Sequence, residues 1–238
     1  MGECVSAAIE TSCRRGGVAL GIGEELVEAA TFPADRRHAV QLVARLDELL
    51  ARHRLSAGDL DEVYVSIGPG SFTGLRVGVT VARTLAQAGG VRCVGVPTAE
   101  AVAENAADLP GEHLAVVMDA KEGSVYAAVF GRRAGRWTPA GPTRALPAGR
   151  LAAEVPKPIT LIGEGLWHHR LVGEGLRVAD ESLWLPLAEG VWAVGRRLAR
   201  ARRFEDFHPL RPLYLRRPEA VRLWEKRHPG ERKSGPAG

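Results

Sequence analysis

A chain of 238 residues with 45% hydrophobic and 25% charged side chains is long enough to bury a large core and has the make-up of an ordinary globular protein. No apolar run reaches membrane-spanning length, and Cys4, Cys13 and Cys93 follow neither disulfide nor metal spacing, which argues against a secreted disulfide scaffold and for a reduced, cytoplasmic setting. The formal charge of +4 is unevenly spread: residues 196–233 carry thirteen Lys and Arg against five Asp and Glu, so the body is slightly acidic and the end basic.

Taken in order, Val5–Ile9, Gly17–Ile22 and Leu26–Thr31 read as strands of an antiparallel meander, with Glu10, Thr11 and Ser12 where the first strand opens into its turn. That corner is either a polar turn or a place where hydroxyls and N–H groups meet a phosphate. No secretory leader is expected, because Glu3 and Glu10 bracket a short apolar stretch with no basic start. Residues 37–53 follow with Leu42, Val43, Leu46, Leu49 and Leu50 at helical spacing, which predicts an amphipathic helix.

The stretch 65–88 joins a β-branched strand to a helix through Gly68-Pro69-Gly70, followed by Ser71 and Thr73 as candidate caps. A strand, a glycine turn and a helix N-terminus together attract anions. The loop is nevertheless neither GxxxxGK[ST] nor GxGxxG and has no nearby Lys, so a structural turn and a ligand cradle both stay open. Gly74, Gly78 and Ala82 recur at four-residue spacing and predict a nearly bare helix face for close packing, with Arg76, Thr80, Arg83 and Gln87 as the polar stripe.

A short strand at Cys93–Val96 and a helix from Thr98 complete a β-β-β-α-β-α-β-α order. The pattern restarts with strands at Leu114–Met118 and Ser124–Phe130 around a turn at Asp119. Residues 131–150 read as surface hairpin and loop, Ile159–Ile162 as a strand, Leu187–Arg203 as a helix and Pro209–Leu215 as an extended run. The expected domains are an N-terminal lobe, 1–109, a smaller C-terminal lobe, 110–217, and a basic tail, 218–238. The tail suits RNA phosphates or an acidic partner, or is simply solvated.

Catalytic chemistry is sparse. None of the seven histidines forms an HExxH or HxxxH pair, no GxSxG elbow occurs, and Asp119 either caps its turn or holds a metal-bound water.

The motifs AIETSCRRGGVAL, SIGPGSFTGLRVGVTVARTLA, VGVPTAEAVA, MDAKEGSVYAAVF and PLYLRRPEAV, in this order, resemble the TsaB (YeaZ) family over nearly the whole chain. The resemblance implies an α/β fold of the actin-like, sugar-kinase and Hsp70-like class with two lobes, the C-terminal one reduced. It implies an accessory subunit, not catalytic alone, for N6-threonylcarbamoyladenosine modification of tRNA next to the anticodon. The implied partners are a TsaD-like transferase and a TsaE-like ATPase, with a homodimer in isolation, tRNA met indirectly or through the basic tail, and no membrane. Transferase relatives carry an HxxxH metal pair where this chain has Thr98 and Val102, so no metal is implied. Glu10 stands where the family often has Asp, and Lys121 where it often has Arg.

The implied docking face is Leu42, Leu46 and Leu49 with Gly74, Val77, Gly78, Val81, Ala82 and Leu85. Glu10, Thr11, Ser12, Gly68, Gly70, Ser71 and Thr73 form a candidate nucleotide cleft. No cofactor is expected to bind firmly; ATP or ADP is expected, if anywhere, at the partner interface. The alternative is a free-standing enzyme of the same superfamily, ATP-dependent or metalloprotease-like.

Overall fold

The computed structural model describes residues 2–33 and 38–215; the basic tail proposed from the sequence, 218–238, lies outside them. Strands β1 (Val5–Glu10), β2 (Arg15–Ile22) and β3 (Glu25–Pro33) form the expected meander, followed by α1 (His38–Arg52), β4 (Glu62–Gly68), α2 (Phe72–Gly89), β5 (Arg92–Pro97) and α3 (Thr98–Glu104). The first sheet has the order β3-β2-β1-β4-β5, with β1, β4 and β5 parallel and β2 and β3 antiparallel. β1 is central and buried throughout, its polar Ser6 and Glu10 included, so it shows no alternation of buried and exposed positions.

Side chains leave successive residues of a strand on opposite faces, and this sorts the core. Ala7, Ile9, Val63 and Val65 face Leu42, Leu46, Leu49, Val79 and Ala82 of α1 and α2. Ala8, Tyr64, Val94 and Val96 face the other way, against Ala101 of α3 and Val191, Trp192 and Val194 of a late helix.

The second sheet is built from β6 (His113–Asp119), β7 (Ser124–Arg133), β8 (Arg136–Pro139), β9 (Arg144–Pro147), β10 (Ile159–Ile162) and β11 (Leu176–Val178), with α4 (Leu151–Glu154) between β9 and β10. Its order is β11-β10-β6-β7-β8, and β9 also pairs with β7. The stretch 131–150, expected as hairpin and loop, contains two short strands, and β11 has too few apolar residues to show a period. One face of this sheet packs on Ala99, Val102, Ala103 and Ala106, so α3 is shared between the two sheets.

The late helix, α5 (Ala188–Arg200), corrects the expected domain division. It lies on the first sheet and on α3, although its position in the chain assigned it to the C-terminal lobe. Close approach is possible because Gly190 sits over the Ala101 carbonyl and Gly195 over the Tyr64 ring, where any Cβ would collide. Trp192 Nε1–H donates to Ser6 Oγ at 2.9 Å, giving a buried indole its partner. No helix among the described residues is long and apolar enough to cross a membrane.

Candidate functional site

The candidate cleft residues do come together, but largely by locking onto one another. Ser71 caps α2, its Oγ accepting from Gly74 N–H at 3.3 Å, while its own N–H donates to the Ser12 carbonyl at 2.6 Å. Thr11 N–H donates to Ser66 Oγ at 3.3 Å. Gly70 presses on Ser12, Gly74 on the Thr11 carbonyl and Gly78 on Thr11 Oγ1, leaving no room for a Cβ at any of the three. These glycines therefore serve contact between segments rather than leaving a cradle for a ligand. Gly68, with φ 109°, begins the loop, while Gly70, Ser71 and Thr73 are exposed at its rim.

Glu10, Thr11 and Ser12 are buried. Ser12 donates to Glu10 Oε1 through its N–H and, at 2.6 Å, through Oγ–H. Burial nevertheless dominates: it raises the Glu10 carboxyl to about 7, and the Ser12 donors offset only part of the penalty. Glu10 Oε2 and Thr11 Oγ1 are buried with no hydrogen-bond partner among the described residues.

The β6–β7 turn is built differently. Lys121 N–H and Nζ donate to Asp119 at 2.9 and 2.5 Å, and His169 Nε2 lies 3.4 Å from the same carboxylate. Burial opposes ionisation of Asp119, but the Lys121 hydrogen bonds and charge outweigh it and hold the carboxyl below its ordinary range. Asp119 N–H donates to Glu164 Oε1 at 2.9 Å, and burial pushes the Glu164 carboxyl up. Gly163 and Gly165 press on the backbone of residues 117–119, so this glycine pair too is used for packing. Cys13 feels both Glu10 and Glu164; burial first, then those charges, push its thiol up to about 12 and make it a poor nucleophile.

The expected docking face divides in two. Leu42, Leu46, Leu49 and Ala82 are buried in the core, and Gly74 and Gly78 are turned inward onto β1 and its turn. This corrects the reading of the bare glycine face as a docking surface: the neighbour it admits is the chain's own first strand. Val77, Val81 and Leu85 of α2 are half-buried, packed against the edge of the core and partly open to solvent. Val43, counted from its spacing among the apolar residues of α1, is 53% exposed. Thr98, the first residue of α3, and Val102, one turn further on, are buried.

A family model described as TsaD, tRNA N6-adenosine threonylcarbamoyltransferase, matches residues 32–158. The tRNA threonylcarbamoyladenosine biosynthesis protein TsaB of Bacillus subtilis is 26% identical over 225 residues, covering 91% of this chain and 96% of that protein. The chain belongs to the TsaB (YeaZ) family. An uncharacterized protein, Rv3421c, of Mycobacterium tuberculosis is 34% identical over 200 residues, 83% of each chain. The solved structure of YeaZ from Pseudomonas aeruginosa shares the fold, with a TM-score of 0.78 and 24% identity over 89% of this chain and 100% of that one. The two-sheet α/β architecture expected from the sequence is thus shared with the YeaZ structure.

The geometry separates what this TsaB-family chain uses for its own folding from what it presents outward. Local spacing does not reveal Tyr214, which meets Phe72 and Arg76 from the far end of the chain. The signal for that contact was the extended run 209–215, whose partner strand edge no periodicity identifies.

Proposed function

We propose that this protein is an accessory subunit for N6-threonylcarbamoyladenosine modification of tRNA, acting by docking a TsaD-like transferase on the outer face of α1 and α2. The observation that carries this reading is that two helices in contact leave apolar side chains open to solvent: exposed Val43 on α1, and Val77, Val81 and Leu85 on α2, which pack against the core but are only half-buried. Apolar surface of this kind is shielded from water by a partner helix pair. The same face serves a second copy of the chain when the transferase is absent, and a TsaE-like ATPase joins the assembled pair.

A supporting role fits the chemistry at hand. Thr98 and Val102 occupy the positions that hold metal ligands in the transferases, and valine offers no donor atom. With the cleft glycines engaged inside the chain, we place any bound ATP or ADP at the junction with the partner rather than within this subunit.

Co-purification with a TsaD-like transferase tests the docking face. Val43→Glu together with Val81→Glu is expected to abolish capture while leaving the circular dichroism spectrum unchanged; undiminished capture overturns the assignment. Gly78→Leu is unsuitable for this test, because its side chain would strike Thr11 and disrupt the fold first.

A further inference from the structure

After α5 the chain returns along the first sheet as a strap. Glu205 N–H donates to the Cys93 carbonyl at 2.9 Å on the β5 edge, and Leu213 N–H to the Ile67 carbonyl at 2.7 Å beside the glycine loop. This path brings Tyr214 against Phe72, with ring centroids 5.1 Å apart, yet the two residues stay 43% and 37% exposed. Arg76, one turn along α2, holds its guanidinium 4.0 Å from the Phe72 ring centre and donates from Nε to Tyr214 OH at 3.3 Å. Arg83 follows two turns further, roughly 10 Å along the same side of the helix. Arg211 is exposed on the strap.

Charge sets this surface apart. The sequence has no Asp or Glu between Glu62 and Glu100, and none between Asp206 and Glu219. None of Arg76, Arg83 and Arg211 forms an ion pair with a carboxylate among the described residues. An aromatic pair that only pinned the strap would gain most by full burial, whereas here both rings are partly open and an arginine is stacked on one of them. Unpaired arginines attract a polyanion, and exposed rings give an unstacked base a platform.

We propose that this surface binds single-stranded RNA, a base stacking at the Phe72–Tyr214 pair while Arg76, Arg83 and Arg211 meet phosphates. The natural ligand, a single-stranded stretch of tRNA, rests on the functional reading above; the surface itself does not. On α2 the arginines are rotated by about 100° or more from Val77, Val81 and Leu85, so RNA and the transferase occupy different sides of the helix.

Fluorescence anisotropy with the full-length protein and a labelled oligouridylate of about twelve nucleotides tests the proposal. Tyr214→Leu is expected to weaken binding roughly tenfold with the salt dependence unchanged. Arg76→Gln with Arg83→Gln should flatten the slope of log affinity against log salt by about 1.4. An RNA duplex should bind more weakly, since its bases are already stacked. The double arginine variant keeps the test valid if Tyr214→Leu fails to fold.

Equal affinity for Tyr214→Leu, an unchanged salt slope, or loss of all binding on removal of residues 218–238 overturns the proposal. So does displacement of the RNA by oligoglutamate as effective as by RNA, which would identify an acidic protein as the occupant. Transferase capture by the same variants separates the two readings, because capture bears on the valine side of α2 and anisotropy on the arginine side.

Discussion

The β1–β2 and β6–β7 turns follow the first strand of each sheet, yet each handles its carboxylate in the opposite way. Glu10 is buried without a counter-ion, tied to Ser12 and pushed up to about 7. Asp119 is gripped by Lys121, approached by His169 and held below its ordinary range despite burial. The first turn is fixed by packing under α2, the second by glycine packing from Gly163 and Gly165 together with charge at the surface. A buried acid of the first kind weakens the fold when ionised, whereas an acid of the second kind weakens it when protonated.

Four substitutions probe this contrast, in falling order of effect. Gly74→Val forces a side chain into the Thr11 carbonyl, and Gly163→Val forces one into Val117 from a backbone at φ 115°. Each should lower stability by more than about 3 kcal/mol in urea unfolding. If only the first did so, the β6–β7 side would be held by charge alone.

Glu10 comes next. Its rise from 4.5 to about 7 disfavours the ionised form by on the order of 3 kcal/mol. The folded state therefore binds this proton more tightly than the unfolded chain does. The resulting stability is fully present below the ordinary carboxyl range and is lost as pH rises to about 7. Glu10→Gln should remove that decline and raise stability at pH 8 by about 1–2 kcal/mol, less than the full penalty because one amide nitrogen stays unpartnered. A pH–stability profile of the variant still falling across this window would show that another group is responsible.

The smallest effect belongs to Lys121→Met, since the lysine is 73% exposed. A loss below about 1 kcal/mol is expected, shrinking further in high salt. Here the sign reverses: the Asp119 contribution is present above the ordinary carboxyl range and fades as pH falls through its lowered folded value. Thermal melts at low and high salt would check both statements.

Local order was readable wherever one face of an element sets its pattern. The meander, α1, α2 and the β6–β7 hairpin follow from period-2 and helical spacing with glycine punctuation. Spacing cannot say which neighbour a face meets. Gly74 and Gly78 announced a close approach, yet the partner was Thr11, in the turn after β1, rather than another chain. Val43 shares the helical spacing of Leu42 and Leu46 but lies on the outer edge of the stripe. Tyr214 stacking on Phe72 and α5 covering the first sheet depend on contacts remote in sequence, which no local window contains.

The return of α5 has a consequence for synthesis. Strands β1 to β5 are complete at Pro97, but the face carrying Ala8, Tyr64, Val94 and Val96 gains Val191, Trp192 and Val194 only with residues 188–200. As the chain leaves the ribosome from its N-terminus, the first sheet spends the translation of the entire second sheet with that face incompletely covered. A nascent chain stalled before Ala188 would therefore display an apolar sheet surface to chaperones and proteases, and release of α5 would close it.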